Sequence, residues 1–344
     1  MTQNSEYRHA LSLGFWLLFC AVVVYIMVVV GGITRLTRSG LSMVEWKPLL
    51  GIIPPIGEAA WMEEFNKYRQ SPEYLKVNAG MSLEAFKGIF YWEYGHRILG
   101  RLIGLIYFVP LVWFWLKGMI PQQWKGKLFT ILILIGVQGS MGWYMVMSGL
   151  VDKPHVSQYR LTAHLGLALI IFAGMLWFAM DFLRGDTRAH HSSSMYLYCS
   201  ALVVFVVFTM MLSGGFVAGT KAGYIINTFP TMNGQWVPNG WLSMQPAWLN
   251  LFENPVMIQF IHRSFAVLVV IVILASFLVS LRQRFKARTV PLLVVMVLQV
   301  MLGISALVMK VPVALGAAHQ AGAVALLSAA LYAAHIARKK SVSL

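Results

Sequence analysis

Charged residues are scarce in this chain, at 11% of 344 residues, whereas soluble domains carry about 25%. Hydrophobic residues make up 58% of it, which excludes a water-soluble globular protein. Acidic residues are rarer than basic ones, 12 against 27, which gives a net charge of +15. Basic residues that flank membrane segments produce such an excess without any nucleic acid. We therefore expect membrane lipid, and no nucleic acid, around this protein.

Cysteine is almost absent. The two cysteines, Cys20 and Cys199, both lie inside apolar runs, which excludes a disulfide framework and a cysteine-based zinc site. The chain also lacks a Cys-x-x-Cys-His motif, so it does not attach heme covalently. The opening MTQNSEYRH is too short and too polar for a transit peptide, and the apolar run after it exceeds that of a signal peptide. We expect a first membrane helix that is retained.

Long uncharged stretches dominate the rest. A helix needs about 20 apolar residues to cross the hydrocarbon core. Seven stretches meet or approach this length: 9–34, 128–151, 161–180, 189–220, 264–281, 289–309 and 311–337. A weaker eighth runs from 98 to 118, with Arg101 near its start and Pro110 inside it. The pattern predicts an all-α integral membrane protein with eight transmembrane helices.

Basic residues predict the orientation of these helices. One set of connecting segments, together with both termini, holds 13 basic residues against three acidic ones. The opposite short loops, around 152–160 and 310–312, hold only three basic residues. Because positively charged loops stay inside, both termini are expected in the cytoplasm. The long loops 35–95 and 221–261 are then expected outside.

The chain carries an internal repeat. Gly31-Gly32 precedes Arg38 with the same spacing by which Gly214-Gly215 precedes Lys221. Three further matches follow in the same order: His96-Arg97 with His262-Arg263, Gln138 with Gln299, and His164 with His319. Order-preserving matches of this kind are the mark of repeated units. The sequence predicts two pseudo-symmetric four-helix bundles, an N-terminal half at 1–187 and a C-terminal half at 188–344.

The nine histidines fall into two groups. Five are interpreted as solvated or interfacial side chains at span edges or in loops: His9, His155, His190, His191 and His335. The other four are expected within one or two turns of the outer ends of the even-numbered membrane helices: His96, His164, His262 and His319. Ionisable residues at membrane depth usually face the bundle interior. A packed histidine bonded to a backbone carbonyl is the alternative for any single one.

Paired imidazoles suggest heme. No cysteines or carboxylates surround each pair to complete a tetrahedral zinc site. Two neutral imidazoles on opposite sides of a flat macrocycle suit heme iron in a bundle core. Nearby cations can pair with heme propionates: Arg38, Arg97 and Arg101 in the first half, Lys221 and Arg263 in the second. The alternative is that these cations anchor helix ends among lipid headgroups.

One difference separates the halves. Glu93 stands three residues before His96, whereas Gln259 stands three residues before His262. Residues at i and i+3 share a helix face, and a carboxylate beside a heme edge can take a proton or stabilise positive charge. The first half is therefore the predicted chemical site and the second the predicted electron-transfer site. A glutamate merely salt-bridged to Arg97 is the alternative.

The run Glu93-Tyr94-Gly95-His96-Arg97, the segment GGITRLTRSGLS at 31–42 and the histidines on even helices together resemble the heme A synthase family. The resemblance covers essentially the whole chain. It implies oxidation of a ring methyl of heme O to a formyl group by successive hydroxylations. It implies that His96 and His164 flank the substrate heme, that His262 and His319 ligate a heme b cofactor, and that Glu93 is catalytic. It also implies a bacterial inner membrane location, with heme O synthase and cytochrome oxidase assembly factors as partners.

One feature departs from part of the family. Some bacterial members have a cysteine pair in the first outer loop, and 35–95 has none, so the chain resembles the cysteine-free branch. Two other functions compete with this one. A two-heme b-type cytochrome that relays electrons from quinol explains the histidines but not the Glu93–Gln259 difference. A transporter is weakened because the charged sites lie at helix ends and not at the midplane. The electron donor, the oxygen source and the oligomeric state, a homo-oligomer included, stay open.

Overall fold

The computed structural model describes residues 2–46, 51–151, 154–184, 193–282 and 289–338. The described residues form helices and connections, without any strand. Eight of the helices are long and apolar enough to cross a membrane, which confirms the predicted all-α membrane protein. They are α1 (Thr2–Leu36), α4 (Leu83–Leu116), α5 (Gln122–Met147), α6 (Gln158–Leu183), α7 (Ser194–Thr220), α8 (Pro255–Ser280), α9 (Val290–Val308) and α10 (Val313–Ala337). Two shorter helices, α2 (Glu58–Arg69) and α3 (Pro72–Lys76), lie between α1 and α4.

Local sequence explains where several helices begin. Ser82 caps α4 and Ser193 caps α7, each accepting a hydrogen bond from a backbone N–H of the first turn. Asn254 caps α8 in the same way and is followed by proline at the first helical position. Pro110 lies inside α4 without ending it, as membrane helices allow when neighbours satisfy the freed carbonyl.

The predicted outer loop 35–95 is wrong at its C-terminal bound. Helix α4 begins at Leu83, well before the predicted start at 98, and aromatic packing against α2 stabilises its first turns. Phe86 and Phe90 lie one turn apart and are buried against Trp61 and Phe65 of α2. His96 therefore lies roughly three and a half turns into its helix, not one or two. The other three histidines lie within about two turns of their helix starts, as predicted.

Four helices form the centre of the bundle. Helix α1 packs against α4, α6 and α10, and α7 packs against α6, α8 and α10. The buried core lies between these central helices and contains Leu13, Leu17, Leu169, Val203 and Leu327. The pairs α4–α5 and α8–α9 lie on the two flanks. We use the name loop end for the end of the bundle at which α1 and α7 finish. The opposite end, where α1 begins and α10 finishes, is called the terminus end.

The terminus end corrects the interpretation of His335. This side chain is 4% exposed, not solvated. Its Nε2–H donates to Asp181 Oδ1 at 2.9 Å, and Arg184 Nη1 donates to its Nδ1 at 2.8 Å. Arg338 pairs with the same aspartate. The network joins α6 to α10, and its sequence signal was Asp181, a carboxylate directly after an apolar span. His190 and His191 lie outside the described residues.

Candidate functional site

The four membrane histidines form two pairs near the loop end. His96 of α4 interacts electrostatically with His164 of α6, and His262 of α8 with His319 of α10. Each side chain is only partly buried. The even-numbered membrane helices thus bring their histidines together within each half. Each half therefore holds two neighbouring imidazoles, and the heme-iron role that the sequence pattern suggested for them stays a prediction.

A glycine of a neighbouring helix lies against each histidine. An ideal Cβ built on that glycine would lie 2.8–3.5 Å from an imidazole atom in every case. The contacts are Gly31 with His96, Gly142 with His164, Gly214 with His262, and Gly303 with His319. The two halves use corresponding helices for them, α1 and α7 for the first histidine, α5 and α9 for the second. An added methyl would force the imidazole to move at Gly303, would crowd it at Gly31 and Gly142, and would make ordinary contact at Gly214.

The ring nitrogens leave donors and acceptors for a ligand. Ser213 Oγ lies 2.8 Å from His262 Nδ1, which leaves Nε2 of that ring for other contacts. Nδ1 of His164 and Nδ1 of His319 are buried without a hydrogen-bond partner. In the part of the chain that the structure describes, no group of three or more histidine, cysteine or acidic residues forms a metal site. Paired imidazoles with glycine walls fit heme, which supplies its own equatorial nitrogens.

Glu93 forms a buried ion pair. It is 3% exposed, and Arg97 Nε donates to its Oε1 at 2.7 Å. The same guanidinium donates to the carbonyls of Glu45 and Met43, both at 2.9 Å, and lies over the ring of Trp46. Each nitrogen of Arg97 thus donates to a protein oxygen. The salt bridge that the sequence left as an alternative is present, and Arg97 fastens the segment after α1 to α4.

In the second half, Arg263 makes contacts similar to those of Arg97, but Gln259 stands in place of the glutamate. Arg263 Nη2 donates to the carbonyls of Thr228 and Pro230 at 2.9 Å, and its guanidinium lies over Phe229. Gln259 Nε2 donates to the carbonyl of Ile226 at 2.9 Å and makes no ion pair. Nη1 of Arg263 is buried without a partner, so this arginine keeps a donor for a ligand.

The sequence analysis missed the two segments, after α1 and after α7, that Arg97 and Arg263 contact. Trp46 follows Arg38 by eight residues, and Phe229 follows Lys221 by eight, which was a readable signal of the repeat. Arg38 and Lys221 themselves adopt the left-handed conformation, with φ of 55° and 58°, just past the ends of α1 and α7. Both line one cavity at the loop end. The structure therefore brings together two cations that the sequence assigned to separate halves.

Comparison with known proteins identifies the family. The profile of a family described as "Cytochrome oxidase assembly protein" matches residues 14–331. A protein named heme A synthase from Nitrosospira multiformis is 47% identical over 99% of this chain and 98% of its own length. Proteins of the same name from Nitrosomonas eutropha and Parvibaculum lavamentivorans are 46% and 44% identical, over 94% and 95% of this chain and 93% and 94% of their own lengths. The chain belongs to the heme A synthase family of cytochrome oxidase assembly proteins.

Proposed function

We propose that this protein converts heme O to heme A, oxidising one ring methyl to a formyl group by successive hydroxylations. Family membership over nearly the full length supports the substrate. One observation supports different roles for the two halves. The two histidine pairs are similar, but the first has the carboxylate of Glu93 where the second has the amide of Gln259. The first pair, His96 and His164, flanks the substrate heme in this proposal.

The second pair, His262 and His319, holds heme b in this proposal. Support comes from the glycine-walled imidazoles and from the free donor on Arg263, which suits a propionate. When bound, heme b supplies one-electron redox chemistry. The serine hydroxyl beside His262 Nδ1 fixes the ring orientation, as partners of heme-ligating histidines do.

In the first half the chain's own task is to place a carboxylate. Arg97 holds Oε1 of Glu93, while Oε2 lies towards Gly40, where an added Cβ would be 3.8 Å away. That free oxygen is the one that takes a proton or stabilises positive charge as the ring methyl is oxidised. Arg97, predicted as a propionate partner, acts in this proposal as the positioning residue for Glu93. Arg38 and Lys221 remain the proposed propionate partners, together with Arg263.

The glycine walls give a direct prediction. In Gly303→Ala the new methyl would lie 2.8 Å from His319 Cε1, so the imidazole must move. Overpacking of this kind costs about 1–3 kcal/mol, so we expect roughly tenfold weaker retention of heme b. The measurement is the heme b content of purified protein after dilution. Gly139→Ala is the matched control, because its methyl meets no atom within 4 Å, and an equal loss there would contradict the explanation.

The proposed orientation places both termini in the cytoplasm and the loop end outside the bacterial inner membrane. A reporter fused after Leu344 should then behave as cytoplasmic. A reporter inserted at Gly57, exposed in the segment before α2, should behave as external. The reverse pattern would place all four membrane histidines at the cytoplasmic face and contradict the proposal.

The activity is tested in cells that make heme O but no heme A. Expression of this chain should yield extractable heme A, and heme O alone would contradict the proposal. The similar glycine walls of the two pairs also favour a second candidate, a two-heme b-type cytochrome that only relays electrons. That candidate predicts no heme A in this experiment. Heme O synthase and cytochrome oxidase assembly factors are the proposed partners, delivering the substrate and receiving the product.

A further inference from the structure

A basic cavity lies at the loop end, between the ends of α1 and α7 and helix α3. It is partly open to solvent, and three cations line it: Arg35, Arg38 and Lys221. Glu73 of α3 is the acidic residue in its lining. Arg35 Nη2 donates to the carbonyl of Ala218 at 2.8 Å, so this side chain fastens α1 to the end of α7. The cavity therefore lies where the two halves meet.

Two residues that line this cavity each carry a buried polar atom without a partner. Glu73 is 5% exposed, and its Oε2 is buried without a hydrogen bond. Nε of Arg35 is likewise buried and unpartnered. An unsatisfied buried oxygen or N–H destabilises the fold, and more so where the group is charged. Both residues line the cavity, so a ligand bound there would bring polar atoms close to them.

The cavity is close to both histidine pairs. Arg38 follows Gly31, the glycine that touches His96, by seven residues, and Lys221 follows Gly214, which touches His262, by seven. Seven residues are two helical turns, about 10 Å along the axis. Both glycines therefore lie within about 10 Å, along their helices, of a cation that lines the cavity. Its cations favour carboxylate as the ligand chemistry.

We propose that this cavity is a carboxylate site shared by the two halves, in which Glu73 competes with a heme propionate for the same three cations. Propionate binding is then coupled to protonation of Glu73. This inference rests on the proposed function, because it takes the propionate-bearing ligand from there. It adds Arg35 and Glu73 to the site, and it makes ligand retention depend on pH.

The direction of the pH effect follows from the surroundings of Glu73. Burial raises the pKa of its carboxyl to about 7, and the carboxylate of Glu93 also raises it, against the lowering effect of the three cations. The other titratable groups near it are Tyr68, Tyr74 and His155. Below about pH 7 Glu73 is neutral and the cations are free for a propionate. Above about pH 7 the carboxylate of Glu73 is ionised. It then repels the propionate and competes with it for the three cations, so the ligand is held less tightly.

The test is the rate at which the purified protein loses heme to excess apomyoglobin, in phosphatidylcholine nanodiscs. Between about pH 6 and about pH 8.5 we expect release to become about tenfold faster, the effect of one added charge in a half-buried site. Glu73→Gln should release heme slowly at both values. Glu58→Gln, an exposed glutamate of the same segment, should behave as the unchanged protein.

A second variant covers the case in which Glu73→Gln fails to fold. Lys221→Met removes one cation and should release heme severalfold faster at the lower pH. Unchanged pH dependence in Glu73→Gln, or an unchanged rate in Lys221→Met, overturns the proposal. A heme release rate that depends on phosphatidylglycerol added to the nanodiscs overturns it too, because a lipid phosphate then occupies the cavity. Since release needs no turnover, these outcomes leave the heme A assay as a separate test of the proposed function.

Discussion

Glu93→Gln is expected to lower heme A formation by roughly 100-fold or more, because it removes the group that takes a proton or stabilises positive charge. The amide keeps the volume of the side chain and can still accept from Arg97 Nε. Its cost is the buried ion pair with Arg97, about 1–3 kcal/mol of stability. Heme b in the second half should stay bound. Cells with this variant should accumulate heme O, or the alcohol formed by the first hydroxylation, as measured by extraction and chromatography.

The matched control for this prediction lies on the same helix. Glu84→Gln changes an exposed glutamate in the first turn of α4, paired only with Lys87, and should leave heme A formation unchanged. Normal heme A in Glu93→Gln cells would remove the catalytic role of Glu93 and favour the electron-relay function. Reduced heme b in the same variant would show instead that the change disturbs the whole fold.

His262→Ala and His319→Ala are expected to abolish the low-spin b-type spectrum of the purified protein and to lower its heme b content by at least about tenfold. Each change removes one of the two proposed axial ligands, while the smaller side chain leaves the neighbouring glycine wall intact. The hydroxyl of Ser213 cannot replace the imidazole, because it lies on the Nδ1 side of His262.

His9→Ala serves as the control for these variants. His9 lies near the start of α1, at the terminus end, far along the chain from either pair. Its loss should leave the absorption spectrum as it is. An unchanged low-spin spectrum in His262→Ala or His319→Ala would move heme b to another set of ligands and contradict the assignment of the second half.

Composition and spacing were sufficient for the membrane helices and the histidine pairs. Eight long apolar segments leave few alternatives, because a backbone in lipid must satisfy its hydrogen bonds internally. The histidines were placed by their order in the two halves, and His164 and His319 each lie six residues after the first residue of their helix. Packing between distant segments was harder to predict. Helix α4 begins at Leu83 because Phe86 meets Trp61 of α2, and no local period encodes that contact.

The residues of the site were also easier to predict than the groups that each of them contacts. Arg97 and Arg263 were both assigned to propionates as cations at helix starts. Their main partners are carbonyl groups of the segments after α1 and α7, and only Arg263 keeps an unpartnered nitrogen. The buried state of His335 was missed for a similar reason. Its partner Asp181 is 154 residues away, and a histidine at a span edge is usually solvated.

The central claim is that one half performs heme chemistry while the other holds a cofactor. The most direct measurement is to extract and identify the hemes that copurify with the protein and its single-histidine variants. We expect heme b together with hemes O and A. Heme b should be lost in His262→Ala, and hemes O and A should be lost in His96→Ala. If heme b is the single heme extracted, and either change reduces it equally, the result would contradict the account and identify the protein as an electron-relaying cytochrome.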